Sequence, residues 1–233
     1  MTWDLSSRAR LGPRALPRFP GETLFDRIAR VVCEADCLPR KELYESWEVA
    51  RRVRRRFRGG RVVDLAGGHG LLALLCLVLD DSSRSALVVD RKLPTSAAKL
   101  ASAFVAAWPR LGTRVSYVTA DVAEVLTGGD DLLVSVHACG ALTDAVLDLA
   151  LSSGTRIAVM PCCHDARTND LGGLGGWMDP SLAIDVVRAD RLRRAGYTVV
   201  TQTIHPGITE KRRLLMGSPA AILPRVACLP VRK

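Results

Sequence analysis

Long apolar runs are absent from this sequence. No segment holds the roughly twenty consecutive apolar residues that a membrane-crossing helix requires, so no membrane association is expected. The N-terminus lacks the apolar core of a secretory signal. It bears Arg and Ser with few acids, a faint likeness to a transit peptide, and reads more simply as a loose arm carrying Pro13, Pro17 and Pro20. Regular cysteine spacing is lacking as well. Seven cysteines, an odd number at scattered positions, argue against a disulfide framework and for a reducing compartment, so the expected location is cytoplasmic. Lysine is scarce, at five of 33 basic residues. Internal repeats are missing, and so is the GxGxxG spacing of the dinucleotide fingerprint.

What remains is enough for one domain of ordinary size with a real core, in 233 residues. The net charge is +9, and +6 of it falls in residues 1–60. A basic pole points to nucleic acid, although such arginine usage also follows from a GC-rich genome. Two helical stripes lie in this quarter. Gly21 to Cys37 places Leu24, Phe25, Ile28, Val31 and Val32 on one face, and Pro39 breaks it. Lys41 to Phe57 carries Leu43, Trp47, Ala50 and Phe57. At its end Arg51, Arg52, Arg54, Arg55, Arg56 and Arg58 spread over roughly 200° of the helix surface. Either this is a solvated end matched to the helix dipole, or it is a phosphate-binding face, which makes RNA the expected partner.

From residue 59 onward, apolar strands alternate with helices. Strands are expected at Arg61–Leu65, Ala86–Asp90, Arg114–Val118, Asp131–His137, Arg156–Met160, Tyr197–Ile204 and Arg212–Met216. Helices are expected at Leu71–Leu79, Pro94–Trp108, Thr143–Ser152 and Pro180–Ala195. The alternation predicts an α/β fold, a Rossmann-like doubly wound and mostly parallel seven-stranded sheet. Residues 1–58 then form an N-terminal helical extension, and 59–233 the ligand-binding domain. Ligands in such sheets lie beyond the carboxyl ends of the strands. That gathers Gly67–Gly70, Asp90, Asp121, His137–Gly140 and Pro161–His164 around one crevice. The first strand runs into the turn RVVDLAGGHG, Arg61 to Gly70, where missing Cβ atoms let a ligand approach the backbone. A carboxylate ending the second strand, here Asp90, accepts hydrogen bonds from ribose hydroxyls. The plainer use of Asp90 or Asp121 is a helix cap or turn.

Asp64, Ala66, Gly68 and Gly70 fall at alternate positions. This resembles the D-x-G-x-G-x-G motif of class I S-adenosylmethionine (SAM) methyltransferases, with Ala66 in place of the first glycine. VHACGALTD, Val136 to Asp144, and VMPCCHD, Val159 to Asp165, resemble the paired motifs H-x-C-G-x-x-T-D and C-C-H. Those motifs belong to a group that includes the tRNA acceptor-stem ribose 2′-O-methyltransferases and the methyltransferase-like-25 proteins. ITEKRRLL, Ile208 to Leu215, resembles the motif before their last strand. The resemblance covers roughly residues 40–216; the CHHC zinc finger of the tRNA enzymes is absent. It implies SAM over Asp64, Ala66, Gly67, Gly68 and Gly70. The ribose would lie at Asp90 beside Arg91, the adenine at Asp121 beside Val122, and the methyl toward His137–Gly140. It implies methyl transfer, with RNA as the expected acceptor, through a ribose 2′-hydroxyl.

A hydroxyl acceptor needs a base or a strong hydrogen-bond acceptor, and His137, Asp144 and His164 are the candidates. A structural histidine and a dipole-matched acid are the plainer uses of His137 and Asp144. Cys139, Cys162, Cys163 and His164 invite a metal, with Cys33 and Cys37 as further donors. Adjacent Cys162 and Cys163 would point to opposite faces in a strand, so close-packed cysteines and no metal are expected. A nucleophilic thiol, as in C5-pyrimidine methylation, is another reading, but the spacing around Cys139 differs from those enzymes. The Asp/Asn-Pro-Pro-Tyr motif of amino-group methylases is missing. Two rivals stand beside the RNA reading. One is a methyltransferase acting on a protein or small molecule. The other is a non-enzymatic RNA-binding protein with a degenerate fold, for which Ala66 and the missing amino-methylase motif would speak.

Overall fold

The computed structural model describes residues 3–220. Its sheet has seven strands in the order β3-β2-β1-β4-β5-β7-β6. These are β1 (Val62–Leu65), β2 (Ala86–Asp90), β3 (Val115–Thr119), β4 (Leu132–Ser135), β5 (Arg156–Val159), β6 (Tyr197–Thr203) and β7 (Arg213–Pro219). The first five are parallel, and β7 runs antiparallel to both β5 and β6. The α/β sheet expected from the alternation is therefore present, mostly parallel, with its last strand reversed and inserted.

Helices α1 (Leu24–Ala35), α2 (Arg40–Arg56), α3 (Leu71–Leu79) and α4 (Ala97–Ala107) share one core layer, with Ile28, Val32, Leu43, Leu74, Leu77 and Phe104 in it. Helices α5 (Ala141–Ser153) and α6 (Pro180–Arg194) cover the other face over Val63, Ile157, Leu147 and Leu192. Local chemistry sets the ends. Thr23 caps α1 by accepting the Asp26 N–H at 3.1 Å, and Pro39 fixes the extended entry to α2. Helix α3 is almost wholly apolar because it is enclosed between the sheet and α2, which buries eight of its nine residues.

Three boundaries shift in ways that matter. The arm is not loose: Leu11 and Phe19 are 1% and 3% exposed, and the Arg40 guanidinium lies 3.5 Å over the Trp3 ring. Its prolines form a 3-10 turn, Pro13–Arg18, that seats both apolar side chains. Helix α4 starts at Ala97, three residues after Pro94. Strands β4 and β5 stop at Ser135 and Val159, so His137 and residues 161–164 lie on loops rather than in strands. No described helix is long and apolar enough to cross a membrane. Residues 221–233, the remainder of the tail, lie outside the described residues.

Candidate active site

The turn after β1 folds back through hydrogen bonds from Gly67 N–H to the Val89 carbonyl (3.1 Å) and from Gly70 N–H to the Gly67 carbonyl (2.7 Å). A Cβ on Gly67 would lie 2.8–2.9 Å from Asp64 and Val88, and one on Gly70 would strike Val88 and Tyr117. Gly68 differs: a Cβ there would meet nothing within 4 Å, so its face is the open wall of the crevice. Ala66 takes φ +54°, the left-handed conformation for which the methyltransferase motif has glycine. Asp90 ends β2 and ties the two loops together, accepting from Gly68 N–H and Lys92 N–H, both at 3.0 Å. Lone pairs remain on its carboxylate for a ligand.

Beneath this turn carboxyls predominate, with Lys41 paired to Glu45 at 3.3 Å. Asp64 is 2% exposed and accepts one backbone hydrogen bond, from Ala73 N–H at 3.1 Å. Burial pushes its carboxyl up to about 7, with Glu42 and Asp90 adding to the rise. Glu42, in the first turn of α2, is also pushed up to about 7, by burial and then by Glu45. Such carboxyls favour a cationic ligand, which would relieve the repulsion between them. The cradle therefore fits a cation joined to a hydroxyl-bearing group. Sequence reasoning missed Glu42 and Glu45, because nothing in α2 announces that its first turns lie near the ends of β1 and β4.

Asp121 caps a short 3-10 turn, Val122–Glu124, by accepting the Ala123 N–H, while Glu124 accepts the Asp121 N–H. Its other oxygen receives Arg91 Nε at 2.8 Å. The Ala123 bond and then Arg91 hold its carboxyl below the usual range. Asp121 and Arg91 thus form a bridge across the ends of β2 and β3, over buried Val122.

On the acceptor side, His137 is exposed just past β4. Surrounding protein holds its pKa below the ordinary histidine value, opposed by Glu45 and reinforced by Lys41. A ring that is neutral near pH 7 can accept a proton. Asp144 is already engaged: Arg188 reaches it by Nε (3.0 Å) and Nη2 (2.7 Å), and Asn169 Nδ2 donates at 2.9 Å. Arg188 is 2% exposed and also donates to the Gly140 carbonyl. His164 Nε2 lies 2.7 Å from Asp185, which also receives Arg213 Nε at 2.6 Å. Asp144 and His164 are thereby positioned within one network joining α5, α6, β7 and both acceptor-side loops. Nearby, Cys139 and Cys162 bring their Sγ atoms to 2.7 Å, with Cys163 Sγ 3.7 Å from that of Cys162.

The arginine cluster divides. Arg54 is not on a surface: it is 2% exposed and turns inward to the Cys76 carbonyl, Ser83 and Asp80. The basic face is thus one residue poorer than the helical pattern suggests. Arg51 and Arg52 pair with Glu48, and Arg58 with Asp80. Arg55 and Arg56 are exposed. This end of α2 sits at the amino ends of the strands, since Arg156 of β5 donates to the Arg58 and Gly59 carbonyls. Alongside α2, from Tyr44 and Trp47 to Arg52, an open cavity of about 640 Å³ is lined also by Phe25, His205 and Ile208.

Comparison with known proteins agrees with this architecture. Solved structures share the fold. An O-methyltransferase family protein from Burkholderia thailandensis superposes with a TM-score of 0.52 at 20% identity, covering 90% of this chain and 64% of that one. The B. subtilis m1A22 tRNA methyltransferase gives 0.51 at 14% identity, covering 74% and 66%. Among curated proteins, the glutathione S-transferase C-terminal domain-containing proteins of Bos taurus and Homo sapiens are 28% and 27% identical over 107 residues. Those matches take in 46% of this chain but only 16% of the relatives' length. A methyltransferase-domain family model matches residues 41–169, more than half of the chain and every strand from β1 to β5. By that match, the chain belongs to the methyltransferase-domain family.

Proposed function

We propose that this protein is a SAM-dependent methyltransferase whose acceptor is RNA, through a ribose 2′-hydroxyl. The observation that carries the cofactor reading is the acid-lined glycine turn, where Asp64 and Glu42 are pushed up to about 7 beside an Asp90 with lone pairs to spare. SAM combines a sulfonium and an ammonium with a ribose diol, and supplies an electrophilic methyl for in-line displacement by an oxygen. Asp90 is placed to accept from the diol, while Asp64 and Glu42 supply negative charge for the cation. Gly68 keeps the wall open. His137, neutral near pH 7, takes the proton from the acceptor hydroxyl, and positioning supplies much of the remainder.

The RNA reading rests on the cavity beside α2. Phe25 lies 5.4 Å from Tyr44 and 5.3 Å from Trp47, ring centre to ring centre. Aromatic walls stack bases, and Arg52 at the same cavity suits a phosphate. The test is transfer from tritiated SAM into fractionated cell extract, followed by nucleoside analysis. The expected result is nuclease-sensitive label recovered as a 2′-O-methylnucleoside. Label in protein or small molecules would overturn the RNA acceptor alone. Absence of transfer together with silent calorimetry against SAM would overturn the cofactor as well.

A further inference from the structure

Most free cysteines in folded proteins are buried, where they pack as small apolar groups. Cys33 and Cys76 fit that description, being fully buried. Cys139 and Cys163 are exposed, and Cys162 is half-buried between them. Packing does not explain these three, yet their Sγ atoms all lie within 4.8 Å of one another.

The fold brings them together deliberately. Cys139 stands on the loop between β4 and α5, and Cys162–Cys163 on the loop after β5. A hydrogen bond from Gly140 N–H to the Cys163 carbonyl at 3.1 Å joins the loops, and Met160 N–H donates to the Ser135 carbonyl at 2.9 Å just below. Adjacent cysteines in a strand would face opposite ways. Because β5 stops at Val159, the coil that follows turns both thiols to the same side. A second observation comes from the same run. His164 is anchored through Nε2 to Asp185, while its Nδ1 is buried with no hydrogen-bond partner among the described residues. Metal-bound imidazoles are commonly held in this way, by a carboxylate on the far nitrogen. His164 lies outside the sulfur group and is not counted as a ligand.

We infer that Cys139, Cys162 and Cys163 form a site for one thiophilic divalent cation of the zinc class. Zinc–thiolate bonds of about 2.3 Å place tetrahedral sulfurs about 3.8 Å apart. The Cys162–Cys163 pair, at 3.7 Å, is at that spacing, and the Cys139–Cys162 pair reaches it by opening about 1 Å. Three thiolates leave the fourth position to water or an incoming group, on the exposed side of the loops. The ion would clamp the ends of β4 and β5 beside His137.

The test uses the full chain, reduced and freed of metal under anaerobic conditions. Co²⁺ is added as a spectroscopic probe, and Zn²⁺ is titrated against a chromogenic chelator. The site predicts a thiolate-to-cobalt charge-transfer band and one Zn²⁺ per chain. Cys139→Ser and Cys163→Ser should each weaken Zn²⁺ binding by about tenfold or more. Cys37→Ser, at a cysteine outside the cluster, should bind like the parent. Both ligand positions are exposed, so these variants should fold, and thermal melting checks that they do. Absence of the charge-transfer band, or affinity unchanged in both ligand variants, would overturn the site. So would a Cys139–Cys162 disulfide in protein that takes up no metal after reduction, which would make the pair a redox couple instead.

Discussion

At the scale of single residues, the site separates groups that are free to react from groups already committed. His137 makes no side-chain hydrogen bond among the described residues, whereas Asp144 and His164 are held by Arg188 and Asp185. His137→Ala should therefore lower single-turnover methyl transfer at saturating SAM and acceptor by about 10²-fold or more, with SAM affinity little changed. Normal turnover would make it a structural ring. Asp64 and Glu42 give a second expectation. Both bind their protons more tightly when folded, near pH 7 against ordinary values of 3.8 and 4.5. Between those limits the native state carries more protons, so their contribution to stability falls as pH rises through roughly 4 to 7. His69 and His137, both held below the ordinary value, act in the opposite sense. Melts of the parent and Asp64→Asn across that range isolate the acid: the variant should gain relative to the parent as pH rises. A cationic ligand should narrow the gap, and a gap independent of pH would show that Asp64 is an ordinary carboxylate.

At the scale of elements, the acceptor side depends on one buried guanidinium. Arg188 on α6 satisfies Asp144 on α5, touches Asp185, and donates to the Gly140 carbonyl. Arg188→Ala should cost about 2–3 kcal/mol, because it deletes the charge-assisted hydrogen bonds to Asp144 and leaves that half-buried carboxylate with Asn169 alone; chemical denaturation measures this, and a loss under about 0.5 kcal/mol would mean that the network is slack. This network was invisible in the sequence, since Arg188 and Asp144 are 44 positions apart and neither sits in a pattern that pairs them. The strands and helices were legible because apolar runs and glycine turns depend on near neighbours. So was the glycine turn with Asp90, which is a local motif. What escaped depended on tertiary context: the burial of Arg54, the anchoring of the arm by Leu11 and Phe19, and the approach of Glu42 to Asp64. Ala66 shows the boundary between the two. Its departure from the motif is plain in the sequence, but only the backbone reveals that the alanine accepts the glycine conformation.

At the scale of the whole molecule, α2 runs from the acid cluster to the arginines. Its 17 residues span about 25 Å, so Arg55 and Arg56 are far from the chemistry. If RNA reaches them it must extend along the protein, and Arg55→Glu with Arg56→Glu should weaken RNA binding and flatten its salt dependence without altering SAM affinity. An unaltered salt slope would leave them as solvent-facing charges. The sheet has a polarity of its own. β7 is slotted between β5 and β6 and runs against both. On the ribosome, β6 emerges before the strand that will join it to the sheet has been made. β5 meanwhile waits with one edge bare. Assembly is therefore held open until Arg213–Pro219 has left the ribosome. A nascent chain stalled before Arg213 exposes unpaired edges to its neighbours, and is the species that a cell's chaperones would have to shield.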